Sequence, residues 1–439
     1  MKITKIKKLI TDNKLYESSN LLVFLNDNWD SYDEVELRDI AEYANANRQK
    51  NAAYYTDRFI VDDIIQYLPI LDKEDISVLE PAVGTGNFIY PFIERFASKY
   101  KHINITLNDI DNDSLKIAKF FLSKKSIPSN VTISYSNCDF LGDLFFINDK
   151  FDYIIGNPPF MRITKKEANT YGNSVTNLAG QFLLKGMAIS NIVALVLPKN
   201  FLSTKDYEEA RNIVAAKSID AIIDFGEKGF KGVLIETIAL IAGNNAENND
   251  VKVKSYIDDS YNVKPKSYIV DNKFPVWLLY RNSTFDEVAN HMDFNIFTIF
   301  RDRQITNSKL SNDGDIPVIK SRNIRRDGSG LKKIEGYDKY ISKENAQNLK
   351  IMDFYKSHDV YLVPNMTYYP RMIQKQGDYI VNGSVAVLKL KSGEKISTDQ
   401  VKFFSTDLFR KFYMIARNKG TRSLNIDSTS VFWFGKYVG

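Results

Sequence analysis

Residues 76–88 read Ile-Ser-Val-Leu-Glu-Pro-Ala-Val-Gly-Thr-Gly-Asn-Phe, and residues 151–160 read Phe-Asp-Tyr-Ile-Ile-Gly-Asn-Pro-Pro-Phe. Each starts as a short apolar or β-branched run and ends in residues that turn the chain, the pattern of a buried strand that delivers a loop to a sheet edge. Comparable runs occur at 104–110, 131–140, 191–198, 219–226 and 234–243, with stretches of helical character between most of them. Strands alternating with helices imply βαβ units and a mostly parallel sheet covered on both faces. The expected fold is therefore a doubly wound α/β domain. The runs at 219–226 and 234–243 are joined by a Gly-containing stretch too short for a crossover helix, so they are expected to pair antiparallel at one edge of the sheet. Residues 1–50 read as a polar helical segment, with Leu37, Ile40, Ala41 and Ala44 at helical spacing. Residues 244–290 read as sheet-edge strands and a connector, and a domain boundary is expected near residue 285, dividing 51–285 from 286–439.

Composition narrows the class. The 439 residues hold 44% hydrophobic and 26% charged side chains, one cysteine and three histidines. Cys138 alone forms no internal disulfide, and so few Cys and His exclude a zinc finger or a thiol redox motif. No metal is expected. No apolar run reaches the length of a membrane span and the start shows no signal-peptide core, so a cytoplasmic location away from membranes is expected. The net charge of +5 hides a division: residues 291–439 carry 25 Lys+Arg against 15 Asp+Glu, leaving 34 against 39 in residues 1–290. Charge alone leaves two readings of the last third open, a polyanion partner and an ordinary solvated surface.

The glycines of Glu80-Pro81-Ala82-Val83-Gly84-Thr85-Gly86-Asn87-Phe88 let the backbone turn sharply and approach a ligand before a helix begins. Asp109, at the end of the next strand, stands where an acid would bind ribose hydroxyls. A dinucleotide fits this less well than a cation, because the third glycine of the nicotinamide fingerprint is replaced by Ile89 and Glu80 would repel a pyrophosphate. S-adenosylmethionine, with a sulfonium, an α-amino group and a ribose, fits better; a glycine turn with no ligand remains the bland alternative. Asn157-Pro158-Pro159-Phe160 follows a strand directly, at the edge where open α/β sheets bind ligands. The prolines fix the backbone and leave carbonyl oxygens as acceptors. The Asn157 amide oxygen, the Pro158 carbonyl and the flat face of Phe160 together describe a site for a planar NH2 group, that of adenine, of cytosine or of a side-chain amide.

In their order and wording these motifs resemble the DNA adenine-N6 methyltransferases of bacterial restriction–modification systems, in the group with cofactor motifs first and a C-terminal target-recognition domain. The resemblance covers about residues 40–245. It implies a seven-stranded Rossmann-like methyltransferase domain that binds S-adenosylmethionine. Asn51 to Asp57 is similar to the N-terminal cofactor motif, with Tyr55 and with Thr56 at the position that contacts the methionine part. Glu80, Pro81, Ala82, Gly84 and Gly86 match the glycine motif, Asp109 with Ile110 the ribose-binding position, and Asp139-Phe140 the adenine-binding pair. Asn157, Pro158, Pro159 and Phe160 match the catalytic motif, and Phe230 sits about where the family has a second aromatic against a flipped target base. Asn177 to Leu183 and Leu195 to Pro198 resemble the structural motifs that follow.

Residues 291–439 look like the target-recognition domains of such enzymes and of Type I specificity subunits, through Ile316 to Ile324, Val360 to Val363 and Gly420 to Asn425. Lys320, Arg322, Arg325, Arg326, Lys332 and Lys333, interrupted by Asn323, form a basic cluster of the kind that contacts phosphates and base edges. Tyr368, Tyr369 and Arg371 form an aromatic–basic group, and Arg422 lies in the terminal motif. The expected partner is double-stranded DNA, bound by a monomer, with any cognate restriction endonuclease on a separate chain, since about 50 residues ahead of the first cofactor motif leave no room for a fused nuclease. Two rivals share the catalytic motif. A release-factor glutamine N5-methyltransferase places a helical substrate domain first and has no basic C-terminal third, and an RNA adenine-N6 methyltransferase is not separated from the DNA enzyme by charge.

Overall fold

Most of the strand runs join one sheet in the computed structural model, which describes residues 1–45, 56–142, 146, 150–230, 234–243, 249–393, 395–421 and 425–438. The chain divides into two compact units, Met1–Val270 and Asp271–Gly439. In the first, α1 (Ile3–Asp12), α2 (Ser18–Asp27), α3 (Glu34–Ala44) and α4 (Arg58–Tyr67) come before β1 (Asp75–Glu80), α5 (Ile89–Phe96) and β2 (His102–Asn108). Then follow α6 (Asn112–Ser123), β3 (Val131–Ser136), β4 (Phe151–Gly156), α7 (Lys165–Thr170), α8 (Leu178–Ile189) and β5 (Ser190–Pro198). The unit ends with α9 (Glu208–Ala215), β6 (Ser218–Gly226), β7 (Thr237–Gly243), β8 (Asp250–Ser255), β9 (Ser260–Pro265) and α10 (Lys266–Ile269).

The strand order is β3-β2-β1-β4-β5-β7-β6-β8-β9. β1 to β5 run parallel, and β7 lies antiparallel between β5 and β6. The expected seven strands are thus extended to nine, and the β6–β7 pair is interior rather than at the edge, because β8 pairs with β6 and β9 closes that side. Both faces are covered. α4 and α5 bury Ile60, Ile64, Phe92 and Phe96 against Val78, Tyr153 and Ile192. On the opposite face Gly186 of α8 comes so close that an added Cβ would stand 3.3 Å from Val193 and 3.7 Å from Ile154. α1, α2 and α3 form a further layer, with Ile6, Leu25, Leu37 and Ile40 packed on Ile117 and Phe121 of α6. At roughly 1.5–3 kcal/mol per fully buried aliphatic side chain, that layer is firmly attached. The Asp33 side chain accepts from the Glu36 N–H at 2.7 Å and starts α3.

The second unit is α+β. Its elements are α11 (Ser283–Ala289), β10 (Met292–Asp293), β11 (Phe297–Phe300), β12 (Ile316–Ile319), β13 (Lys339–Ile341), α12 (Lys343–Ala346) and β14 (Val360–Pro364). β15 (Ile373–Gln374), β16 (Ile380–Val381), β17 (Val385–Leu390), α13 (Thr398–Phe403), α14 (Asp407–Ala416) and β18 (Lys436–Tyr437) complete it. They build sheets β11-β17-β14-β15, β13-β12-β16 and β10-β18. The division falls at 270/271, earlier than the expected residue 285, because the intervening segment is bonded into this unit. Asn418 donates to the Trp277 carbonyl at 2.7 Å and accepts from the Leu279 N–H at 2.9 Å, and Phe285 stacks on Phe412 at 4.8 Å. Among the described residues no helix is long and apolar enough to cross a membrane.

Gly180 in α8 tests the packing of the first unit. Helix propensity alone favours alanine there by about 1 kcal/mol, but its Cβ would stand 2.4 Å from Val175 Cγ1 and 3.1 Å from the Tyr207 ring. Overpacking of that kind costs about 1–3 kcal/mol. Gly180→Ala is expected to lower the urea midpoint, and a raised midpoint would show that propensity prevails.

Candidate active site

The carboxyl ends of β1, β2 and β3 are tied together by one side chain. Asn108 is fully buried; its Nδ2 donates to the Pro81 and Cys138 carbonyls at 3.1 Å each, and its Oδ1 accepts from the Cys138 N–H at 3.2 Å. Beyond β1 the chain passes through Gly84 at φ +52° and Gly86 at φ +77°, left-handed conformations open to glycine at little cost. A Cβ on Gly86 would also stand 3.3 Å from Ala118, where the turn meets α6. The turn is closed by Gly86 N–H to the Val83 carbonyl at 2.8 Å and by Gly84 N–H to Asp109 Oδ2 at 2.9 Å. Against these loops lies a cavity of about 350 Å3, within the size range of small-molecule sites.

The cavity is lined by Thr56, Glu80, Pro81, Ala82, Gly84, Asp109, Ile110, Asp139 and Phe140, nine of the positions expected from the sequence. Gly86 shapes the turn from a buried position, and Tyr55 lies outside the described residues. Phe140 forms a wall rather than a free plate: its ring lies 4.9 Å from that of Phe182, with the Lys185 ammonium 5.0 Å from its centroid. The electrostatics are unusual. Glu80 is 2% exposed, and burial, reinforced by the charge of Asp109 and opposed by Arg38, pushes its carboxyl well above the ordinary range. Glu80 Oε2 has no hydrogen-bond partner among the described residues. Burial also raises Asp109 to about 6, against the pull of N–H groups from Asp111 and Gly84. Two buried carboxyls of this kind favour a ligand that brings positive charge or hydroxyl donors.

β4 delivers the second motif to the same place. Gly156, its last residue, is at φ +149°, and a Cβ there would stand 3.4 Å from Glu80 Cγ. Asn157 donates from Nδ2 to Thr56 Oγ1 at 3.0 Å, so the amide is oriented by the segment that precedes α4. Asn157 and Pro159 line the cavity, while Pro158 is buried beside it. Phe160 is half-buried and meets Phe230 edge-on, with centroids 5.7 Å apart and planes inclined by 66°. Phe230, 4% exposed, braces the Phe160 ring; a second open stacking face, expected from the sequence, is not what this contact provides.

In the second unit the basic residues separate into two groups. Arg322, Arg325, Arg326, Lys332 and Lys333 are exposed. The Lys320 ammonium lies 3.6 Å from the Tyr337 ring centroid, with Arg322 at 4.8 Å. Tyr369, 40% exposed, carries Arg326 at 4.7 Å and Arg410 at 4.5 Å, and Tyr368 beside it donates to the Thr421 carbonyl at 3.1 Å. Asn323 and Arg371 are corrections. Asn323 is buried and donates to Lys332 O at 3.1 Å and Asp338 Oδ1 at 2.6 Å; buried Arg371 donates to Ile324 O, Ser321 O and Tyr369 O. Both are committed to their own fold, and neither presents a group to a ligand. Arg422 lies outside the described residues.

The family model described as Eco57I restriction-modification methylase matches residues 1–230. The chain belongs to this family. The Type II methyltransferase M.VspI of Vibrio sp. (strain 343) is 31% identical over 216 residues, 47% of this chain and 51% of that protein. Modification methylase CviBIII of Paramecium bursaria Chlorella virus NC1A is 24% identical over 239 residues, 53% and 60% of the two chains. The chain spans about half the length of the curated relatives it matches. A solved nuclease-deletion mutant of the Type ISP restriction-modification enzyme LlaGI, in complex with a DNA substrate mimic, has a TM-score of 0.48 at 12% identity, covering 90% of this chain and 56% of that one.

In this methylase-family unit the motif residues miss part of the wall. Glu42 of α3, Asn45 just after it, Asn87 and Tyr171 also line the cavity. Arg38 secures the glycine turn from outside, donating to the Thr85 carbonyl at 2.5 Å and to Asn87 Oδ1 at 2.9 Å. The signal for α3 is in the sequence: Arg38 and Glu42, four residues apart, lie together along one flank of the apolar face made by Leu37, Ile40, Ala41 and Ala44. The Asp109 shift has a thermodynamic consequence. From the ordinary value of 3.8 in the unfolded chain, burial raises Asp109 to about 6 in the folded protein. The native state therefore holds the extra proton between these values, and stability from this group is lost as pH rises through the window. Relative to Asp109→Asn, the protein is expected to lose roughly 3 kcal/mol between about pH 4 and pH 6 and nothing further above it. Denaturant titrations at several pH values test this, and parallel profiles for the two proteins would contradict it.

Proposed function

We propose that the chain methylates the N6 amino group of adenine in duplex DNA with S-adenosylmethionine, as the modification activity of a restriction–modification system. The observation that carries this reading is the convergence of Asn157 and Pro159 with Glu80 and Asp109 on one cavity, with Phe160 next to Pro159 in the chain and packed on Phe230. The cavity suits the cofactor: the buried Glu80 oxygen without a partner matches a cationic group, and Asp109 matches ribose hydroxyls. Asp139 and Phe140 would take its adenine. Bound there, S-adenosylmethionine supplies an electrophilic methyl group. The modification methylases among the relatives support the DNA substrate.

The chain's own residues do the remaining work. A target adenine leaves the base stack at a cost of a few kcal/mol. Asn157 Oδ1 and the Pro158 carbonyl then accept its two N–H bonds, which concentrates electron density on the nitrogen, and Phe160 holds the ring by stacking. Thr56 keeps the Asn157 amide turned so that its oxygen, rather than its nitrogen, is the group presented. Exposed Arg325, Arg326, Lys332 and Lys333 supply phosphate contacts in the second unit.

Duplex DNA incubated with methyl-labelled cofactor and digested to nucleosides is expected to yield labelled N6-methyladenine. N4-methylcytosine would move the target to the other exocyclic amine, and label confined to RNA or to protein would overturn the reading. Asn157→Ala is expected to lower turnover by about 100-fold or more while cofactor affinity stays within a few-fold. In binding assays, Arg325→Ala or Arg326→Ala is expected to reduce the slope of log affinity against log salt by about one; an unchanged slope removes that residue from the phosphate contacts.

A further inference from the structure

At the same edge of the sheet, on the side of β5, β7 and β6, lies a buried group of charges that the proposed chemistry does not use. Lys199 follows β5 directly and is 6% exposed; its Nζ lies 2.7 Å from Asp224 Oδ2 and 3.6 Å from Glu236 Oε1. Its backbone N–H also donates to the Glu236 carbonyl at 2.8 Å. Asp224 is fully buried near the end of β6, where its Oδ1 accepts from the Gly226 N–H at 2.9 Å. Glu236 immediately precedes β7. Pro198, Thr237 and Gly226 stand side by side across the three strands.

This arrangement follows from β7 being inserted antiparallel. The connection from β6 to β7 leaves the carboxyl edge at Gly226 and returns to it at Thr237, so its two ends are neighbours, and one ammonium holds a carboxylate at each. Within that connection stands Phe230, whose ring braces Phe160 at 5.7 Å. Buried ion groups add little net stability, because desolvation offsets their attraction and apolar replacements are often neutral or better. In some proteins what such a group supplies instead is a fixed geometry.

We propose that Lys199 is a positioning residue for the target base: by anchoring Asp224 and Glu236 it sets where Phe230 stands, and thereby the tilt of the Phe160 ring on which the base stacks. This rests on the reading of Phe160 as the stacking face. The proposed cofactor contacts come from the loops after β1, β2 and β3 and from Thr56 ahead of α4, none of them in the β6–β7 connection, so cofactor affinity is an internal control.

The test uses the full chain and an unmethylated duplex carrying the site that the unaltered protein is found to methylate. Lys199→Met and, more mildly, Glu236→Gln are expected to lower kcat, by roughly 10- to 100-fold for the first and several-fold for the second. The Kd for S-adenosylmethionine and the KM for DNA stay within about twofold. With 2-aminopurine at the target position, fluorescence in the complex changes in both variants. The neutral triple Lys199→Met, Asp224→Asn, Glu236→Gln separates placement from stability: it is expected to regain the melting temperature and not kcat. Recovery of both, or a Glu236→Gln protein with unchanged kcat and fluorescence, overturns the proposal, and Glu236→Gln decides the matter if Lys199→Met does not fold. If the unaltered protein methylates no DNA, the reading of the site fails; if it does and the variants match it, only the role of Lys199 fails.

Discussion

Everything at the candidate site depends on how the buried Asn108 amide is satisfied. Its two donors and one acceptor are taken up by the Pro81 and Cys138 carbonyls and the Cys138 N–H, groups that leave β1 and β3 on either side of β2. An amide buried without these partners would cost about 1–3 kcal/mol, so the loops after three strands are constrained to a common height. Glu80, Asp109 and Asp139 then line one cavity instead of three separate surface turns.

On that frame the protein stores unfavourable electrostatics. Glu80 and Asp109 sit where burial disfavours their charged forms, and Arg38, whose charge opposes the shift of Glu80, spends its donors on Glu34, on the Thr85 carbonyl and on Asn87. The N-terminal helical layer therefore belongs to the site's construction: α3 carries Arg38 to the turn and lines the cavity with Glu42, and Asn45 lines it just beyond the helix end. The neighbouring β4 loop is coupled to the same layer by a short path, since Thr56 accepts from Asn157 through Oγ1 and from Asn87 through its carbonyl.

The strands and the two motif loops were legible because their signals are local: β-branched runs, glycines at a turn, and a proline-fixed acceptor motif. The order of β7 and β6 was less so. Their antiparallel pairing follows from a short connection, but nothing in residues 219–243 announces that β8 will pair with β6 and leave both strands interior. Side chains that act between distant segments were the hardest to read. Asn108 looks like the end of a strand, and Arg371 and Asn323 look like members of a basic, polar cluster until their internal partners are known. The domain division moved for the same reason, because the partners of Trp277 and Leu279 lie at Asn418, far along the chain.

The buried carboxyls bear on calorimetry as well as on affinity. A group held well above the ordinary range, as Glu80 is, retains below its raised pKa a proton that water would have removed. A cation settling against it expels that proton to the solvent. The heat of such an event then includes the ionisation enthalpy of whatever buffer receives the proton, so the same ligand would register different enthalpies in phosphate and in Tris while its free energy of binding stayed the same.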